Sequence, residues 1–423
     1  MSSKLAINGG VPVRKEALPG AYPGASVYGQ EEIDAITEVI KRKSPFRYYG
    51  VDVAGKAEEF EGRVCERLGR KFALASSSGT SALIIALVAA GIGSGDKVII
   101  PANTFYATAG AVIAAGAVPV YCDIDDSMNL DPTKIEALID EDVKALVVVP
   151  ILGNSCDMDP IMEICSRRKI TLIEDNAQSW GSTYKGKPCG SFGAFATYSL
   201  QLNKMITAGE GGVVVTDRPE YIERATRFHD QGTFRKKQKY EETKNQPDQV
   251  LVGQNYRLSE VAGAIACEQI KKLDMIIENL RRVKQTIKNG IQPTLEAKGV
   301  TFRRITDADG DVSNTIMMYM PSPEKAVAFR NAMLAENINC THLYDRKTIY
   351  AAPSLLEKKP ADKNGFPFNQ FTGAKAVHYE MGMCPKAEDL LSRNVMIPLA
   401  PVFTEKDCQD VIEGVLKVAE EIL

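Results

Sequence analysis

The chain has 423 residues, 44% hydrophobic and 25% charged, an ordinary globular composition with enough material for two domains. A formal net charge of −3 and a pI near 5.9 speak against nucleic acid or an acidic membrane surface as a partner. No run approaches the ~20 apolar residues of a membrane helix, and the opening "MSSKLAINGGVPVRK" lacks the apolar centre of a secretory leader.

Residues 1–30 are rich in Gly and Pro with little periodicity, and are expected to form an arm on the surface or on a partner subunit. "GQEEIDAITEVIKRK" (29–43) has helical spacing, with Ile33, Ile36, Val39 and Ile40 on one side. From about 72 to 216, apolar runs at 97–101, 117–125, 144–151, 170–176, 194–200 and 211–216 predict strands. Helical patterns at 80–91, 105–116, 131–140 and 158–168 lie between several of them. The run "KALVVVPI" (144–151) is nearly all apolar, as a strand buried on both faces requires. The alternation predicts an α/β domain with a mixed, mostly parallel sheet.

"RKKQKYEETKNQPDQ" (235–249) is charged and aperiodic, and reads as an exposed excursion. A long helical period over 258–287 predicts a helix joining two domains, and 362–373 is the most loop-like part of the C-terminal region. The expected organisation is an arm (1–30), a large cofactor-binding α/β domain (31–270) and a small C-terminal α+β domain (271–423). Nine cysteines, at 65, 122, 156, 165, 189, 267, 340, 384 and 408, are odd in number and contain no C-x-x-C pair. They read as reduced thiols of a cytoplasmic protein. The three histidines are far apart in sequence, so no metal site is expected.

Three features bear on chemistry. In "SSSGTSALIIALVAAG" (76–91), small residues and Gly79 open a helix whose first turn includes Thr80. Its free N–H groups and dipole make an anion site, although Ser and Thr also serve simply as caps. In "IEDNAQSWGS" (173–182), Asp175 follows an apolar strand; it can cap the next turn or hold a protonated ring nitrogen. In "SLQLNKMITAGEGG" (199–212), Lys204 sits among apolar neighbours before a glycine-rich loop. A desolvated lysine is partly neutral at pH 7 and can attack a carbonyl, whereas a solvated one snorkels. A phosphate-binding helix end, an aspartate for a pyridinium nitrogen and a lysine for an aldehyde are together the handles of pyridoxal 5'-phosphate. Phe105, just past the strand "KVIIP", fits as the aromatic that stacks on the ring.

These motifs, with "GDKVIIPANTFYAT", "AVPVYCDID" and "GQNYRLSEVAGAI" (253–265), resemble the DegT/DnrJ/EryC1/StrS family of pyridoxal-phosphate-dependent sugar and cyclitol aminotransferases. The resemblance runs from about residue 60 to 407 and implies the aspartate-aminotransferase fold. It implies that Lys204 bonds the cofactor, Asp175 pairs with its ring nitrogen and Gln178 lies near the ring hydroxyl. It also implies that Gly79, Thr80 and Ser199 hold the phosphate, and that Asn255 reaches it from the other subunit of a homodimer with shared active sites. The family's usual histidine three residues before the lysine is Gln201 here, as in glutamine-dependent aminotransferases acting on scyllo-inosose and its deoxy relative. "FRYYG" (46–50) and parts of the C-terminal region instead resemble the enzyme that makes 8-amino-3,8-dideoxy-manno-octulosonate.

The implied reaction moves an amino group from glutamate or glutamine to a keto or aldehyde sugar, free or nucleotide-linked, or to a cyclitol. Tyr48, Tyr49, Gln201, His342, Tyr344 and Arg393 are candidates for the substrate side, and His229 either caps a helix or approaches the site. A dehydrogenase would need G-x-G-x-x-G after its first strand, and none is there. The alternatives are a non-catalytic regulator of the same fold and a sugar dehydratase, a branch in which histidine replaces the lysine.

Overall fold

The computed structural model describes residues 4–233 and 249–423. The charged stretch expected as an exposed excursion lies, apart from Gln249, outside the described residues. The strands are β1 (Phe72–Ser76), β2 (Lys97–Pro101), β3 (Val118–Cys122), β4 (Val143–Val148), β5 (Thr171–Asp175), β6 (Thr183–Tyr184), β7 (Lys187–Pro188), β8 (Phe195–Ser199), β9 (Gly212–Thr216), β10 (Thr301–Phe302), β11 (Thr315–Tyr319) and β12 (Asn394–Pro398). The helices are α1 (Gln30–Lys41), α2 (Lys56–Leu68), α3 (Gly79–Ala89), α4 (Tyr106–Ala114), α5 (Pro132–Ile135), α6 (Met158–Arg168), α7 (Pro219–His229), α8 (Glu260–Ala297), α9 (Pro323–Ala335), α10 (Pro353–Leu356), α11 (Pro385–Ser392) and α12 (Glu405–Ile422).

Seven strands form one sheet in the order β1-β9-β8-β5-β4-β2-β3. β9 is antiparallel to β8 and β1, and the pairs from β8 through β5, β4 and β2 to β3 are parallel. The strands β1, β2, β8 and β9 are buried along their whole length, which is why their sequences are runs and not alternations. Helix α3 is apolar all round because it is walled in by β8 and β9 on one side and α4 and α7 on the other. Burying Leu83, Ile85 and Leu87 is worth about 1.5–3 kcal/mol each.

A three-stranded antiparallel sheet, β10-β11-β12, forms the second layer with α9 and α12. Helix α8 runs past the predicted end at 287 to Ala297, with Ile287, Ile291 and Leu295 buried. It packs on α1 and α2 with one half and on α12 with the other.

In α1 the exposed and buried faces differ from the expected stripe. Ile33 and Ile40 are 56% and 60% exposed, while Glu32, Ala35 and Val39 are buried. Ala35 and Val39 cluster with Ala264 of α8, and Glu32 pairs with Lys272 of the same helix at 2.8 Å. A buried ion pair, which sequence periodicity counts as polar, turned the helix away from its most apolar side. The described part of the arm lies on its own chain, where Leu5 and Leu18 are buried. Among the described residues no disulfide joins the cysteines, and no helix is long and apolar enough to cross a membrane.

Candidate active site

The carboxyl ends of β1, β2, β5 and β8 converge on one cleft of about 560 Å³, the position where an open α/β sheet takes ligands. Ser78 caps α3: its Oγ accepts from Ser81 N–H at 3.0 Å, and Ser81 Oγ accepts from Ser78 N–H at 2.9 Å. The N–H groups of Gly79 and Thr80, next in the helix, have no carbonyl one turn earlier, and both residues line the cleft. A Cβ on Gly79 would sit 2.7 Å from Ser199 Cβ, so the helix start and β8 approach this closely only because the residue is glycine. Ser199 Oγ accepts from Gln201 N–H at 3.2 Å.

Asp175 ends β5 and is 4% exposed. Thr108 Oγ1 donates to its Oδ2 at 2.9 Å and Ala177 N–H to its Oδ1 at 3.2 Å. Burial pushes the carboxyl pKa up; the Thr108 and Ala177 donors and the charge of Lys204 pull it back. Lys204 opens on the same cleft, and among the described residues no carboxylate comes within ion-pair distance of it. Burial pushes its ammonium pKa down, opposed by Asp175 and by Glu210 on the cleft rim. The chain around Lys204 is tied by two bonds to Gln201: Lys204 N–H donates to Gln201 O at 3.0 Å, and Asn203 N–H to Gln201 Oε1 at 2.8 Å.

Gln178 Oε1 accepts from Leu152 N–H at 3.3 Å, and its Nε2 donates to Tyr344 Oη at 2.8 Å. Tyr344 enters from the C-terminal part of the chain on three successive left-handed residues, Tyr344, Asp345 and Arg346, with φ of 47°, 50° and 63°. Such a backbone costs about 1–2 kcal/mol per residue, held here by the surrounding packing. Burial raises the Tyr344 phenol pKa far enough to keep the hydroxyl neutral.

A family model described as the DegT/DnrJ/EryC1/StrS aminotransferase family matches residues 28–416. The chain belongs to this family. The GDP-perosamine synthase of Caulobacter vibrioides is 40% identical over 226 residues, 53% of this chain and 59% of that protein. The L-glutamine:2-deoxy-scyllo-inosose aminotransferase of Streptomyces kanamyceticus is 34% identical over 316 residues, 71% of this chain and 72% of that protein. The crystal structure of 3-amino-5-hydroxybenzoic acid synthase superposes with a TM-score of 0.81 at 25% identity, covering 96% of this chain and all of that one.

As a member of the DegT/DnrJ/EryC1/StrS family, the protein is a pyridoxal-phosphate-dependent aminotransferase of the sugar and cyclitol group. The residues present fit that cofactor. An anion-seeking helix end, a buried carboxylate and an unpaired amine open on one cleft, and the absent side chain of Gly79 lets the helix start lie against Ser199.

Of the residues singled out in the sequence, Gly79, Thr80, Phe105, Asp175, Gln178, Ser199, Gln201, Lys204 and Tyr344 all line this cleft. Tyr48, Tyr49, His342 and Asn255 do not. Tyr48 Oη contacts His229 Nε2 at 3.0 Å, while His229 Nδ1 faces Thr226 O at 2.6 Å. Carbonyl oxygen only accepts, so Nδ1 carries the proton and Tyr48 donates to Nε2. His342 Nδ1 donates to Asn394 O at 2.7 Å, and Arg393 pairs with Asp389 at 2.9 Å. Asn255 is exposed and bridges to Asp230. The sequence reading missed Thr108, Asn203, Glu210 and Asn314. Thr108 lies in the quoted "PANTFYAT", one helical turn past Thr104, and that spacing was its only signal.

Proposed function

We propose that this protein transfers an amino group from glutamine or glutamate to a keto or aldehyde carbon of an uncharged sugar or cyclitol ring. One observation carries the reading: Lys204 and Asp175 share a cleft whose other polar lining is mostly uncharged, with the carboxamides of Gln178, Gln201, Asn203 and Asn314 beside the hydroxyls of Ser78, Thr80, Thr104, Ser199 and Tyr344. Carboxamides both donate and accept, which suits a ring of hydroxyls. Among the described residues Lys204 is the cleft's sole basic side chain, which disfavours acceptors that bring a carboxylate or a diphosphate into the cleft, octulosonate and nucleotide-linked sugars alike, and favours the free cyclitol. Gln201, and the glutamine-dependent inosose aminotransferase among the relatives, support glutamine as donor and a cyclitol as acceptor.

When bound, pyridoxal phosphate supplies an aldehyde for covalent attachment and a ring that accepts an electron pair. Lys204 offers the amine, desolvated enough to be nucleophilic; once released by the donor substrate it moves a proton at the reacting carbon. The Asp175 carboxylate would keep the ring nitrogen protonated through a charge-assisted hydrogen bond. Gly79 and Thr80 N–H and the Ser199 hydroxyl would hold the phosphate, Phe105 would supply the aromatic face for the ring, and Gln178 would serve the ring hydroxyl. Tyr344 and Gln201 orient the acceptor.

The active unit in this reading is a homodimer in which Asn255 of the partner subunit reaches the phosphate. Phe105, Tyr106 and Leu202 support it, being large apolar side chains exposed at or near the cleft mouth. The buried thiols suit a cytoplasmic setting. A regulator without turnover and a dehydratase are disfavoured by Lys204 itself.

The test is a half-reaction followed by an acceptor panel. The cofactor-loaded enzyme loses its visible band on adding glutamine, and regains it with scyllo-inosose in preference to a nucleotide-linked keto sugar. A band that neither glutamine nor glutamate changes would sink the proposal.

A further inference from the structure

We infer that the N-terminal arm is a strap that positions Lys204. This rests on the reading of Lys204 as the cofactor-bearing lysine. Two anchors, far apart in the fold, fasten the arm.

The outer anchor is the carboxylate of Glu336, fully buried after α9. Its Oε1 accepts from Ala6 N–H at 2.8 Å, its Oε2 from Val13 N–H at 2.9 Å, and Lys417 of α12 pairs with it at 2.9 Å. A buried charge with one cation and two backbone donors is well compensated, and removing any partner is costly. Arg14 adds ion pairs to Asp407 and Asp410 of the same helix.

The inner anchor grips the lysine loop. Gly24 N–H donates to the carbonyl of Lys204 itself at 3.2 Å, and Tyr28 Oη donates to Thr207 O at 3.1 Å. A Cβ on Gly24 would lie 2.7 Å from Gln269 Oε1 and 2.9 Å from both Ile206 Cα and Thr207 N, so the arm lies directly on the backbone of the loop. Gln269 completes the clamp: its Oε1 accepts from Thr207 N–H at 3.3 Å and its Nε2 donates to Glu32 at 2.9 Å. Lys272 then joins Glu32 to Val27 O at 3.0 Å, closing a ring of contacts around the inner end of the arm.

The consequence is mechanical and electrostatic. The loop from Lys204 to Thr207 is held from behind by the arm, so the side chain of Lys204 is directed into the cleft and away from water. A loosened strap lets water reach the amine and returns its ionisation toward that of an ordinary lysine. Gly24 and Tyr28 are positioning residues, and neither lines the cleft.

The experiment follows capture of pyridoxal phosphate by the cofactor-free protein. The second-order rate of appearance of the visible band is measured against pH, and its midpoint reports ionisation of the capturing amine. Gly24→Ala is expected to raise the midpoint by about one pH unit, and Tyr28→Phe by less, with the high-pH plateau rate retained. Gly20→Ala, whose Cβ meets only the Tyr22 ring at 3.0 Å, leaves the midpoint where it is. An upward shift in either folded variant supports the strap. A wild-type midpoint in Gly24→Ala and Tyr28→Phe, or in Tyr28→Phe alone where Gly24→Ala does not fold, overturns it. Lys204→Ala is run alongside: covalent capture surviving in that variant removes the reading of Lys204 and not the strap alone.

Discussion

Thr108 Oγ1 donates to Asp175 Oδ2 at 2.9 Å, and Thr104 Oγ1 lies 2.7 Å behind it, so the carboxylate is backed by two buried hydroxyls in line. Burial alone favours the neutral acid; the donated hydrogen bond favours the carboxylate. Thr108→Val keeps the shape and removes the donor. A hydrogen bond to a charged group is worth about 1.5–3 kcal/mol, so kcat should fall roughly 10- to 100-fold with KM little changed. The acid limb of the kcat–pH profile should move to higher pH, and Thr108→Ser should restore most of the loss. An acid limb identical in wild type and Thr108→Val would count against this role.

Lys204→Met is expected to abolish both turnover and the covalent visible band, and it also has a signature without cofactor. Burial lowers the Lys204 pKa in the folded chain, while the unfolded chain keeps its proton to the ordinary value near 10.5. Between the lowered folded value and the unfolded one, the unfolded state binds more protons, so stability climbs as pH rises through that window. It is lowest on the acid side, where the buried amine must be charged. Urea midpoints of the cofactor-free wild type should rise from neutral pH towards 10 by more than those of Lys204→Met.

The sheet was legible because its strands are buried on both faces and so read as runs: the predicted 97–101 matches β2 residue for residue. That several of the singled-out residues share one cleft was legible from their places along the chain. Gly79 opens a helix, Asp175 ends a strand and Lys204 sits among apolar neighbours in the following loop, and the fold gathers these three positions on one cleft. The predicted helix over 258–287 stops short of α8, which continues through Gly290 and Pro293 to Ala297. In the fold, a Cβ on Gly290 would meet Ile412 at 2.7 Å, so this glycine serves the crossing of α12. The buried face of α1 was illegible because a Glu32–Lys272 pair depends on a helix more than 200 residues away. Tyr48 and His342 looked like site residues by type, but their partners, His229 and Asn394, lie far along the chain.

Gly79→Ala tests the helix start against Ser199. The added Cβ would come within 2.7 Å of Ser199 Cβ and 3.2 Å of its Cα, and Ser199 is fixed in β8 between strands. The helix start must therefore back away from the phosphate position. Cofactor affinity, read by quenching of protein fluorescence, should weaken by at least about tenfold, which is 1.4 kcal/mol. Gly62→Ala is the contrast: it lies in α2 with nothing within 4 Å of the new Cβ. There the lower chain entropy should add about 0.5–1 kcal/mol of stability without touching cofactor binding.

The Tyr48–His229 pair gives a prediction at acid pH. His229 is fully buried; burial, and then the nearby Arg47 charge, push its pKa from 6.5 down to about 3. The folded imidazole stays neutral, donating to Thr226 O and accepting from Tyr48, while the unfolded chain takes up a proton near 6.5. Below 6.5 the unfolded state therefore binds the extra proton, and stability drains away as pH falls from 6.5 towards 3. The full span corresponds to roughly 3–5 kcal/mol. His229→Phe removes the titration and also the Tyr48–His229 hydrogen bond, so it lowers stability at pH 7. What identifies the histidine is the slope. The difference in urea midpoint between pH 7 and pH 4.5 should be smaller in His229→Phe than in wild type, because the mutant has nothing left to protonate at this position. An equal difference in the two proteins would assign the acid sensitivity to other groups.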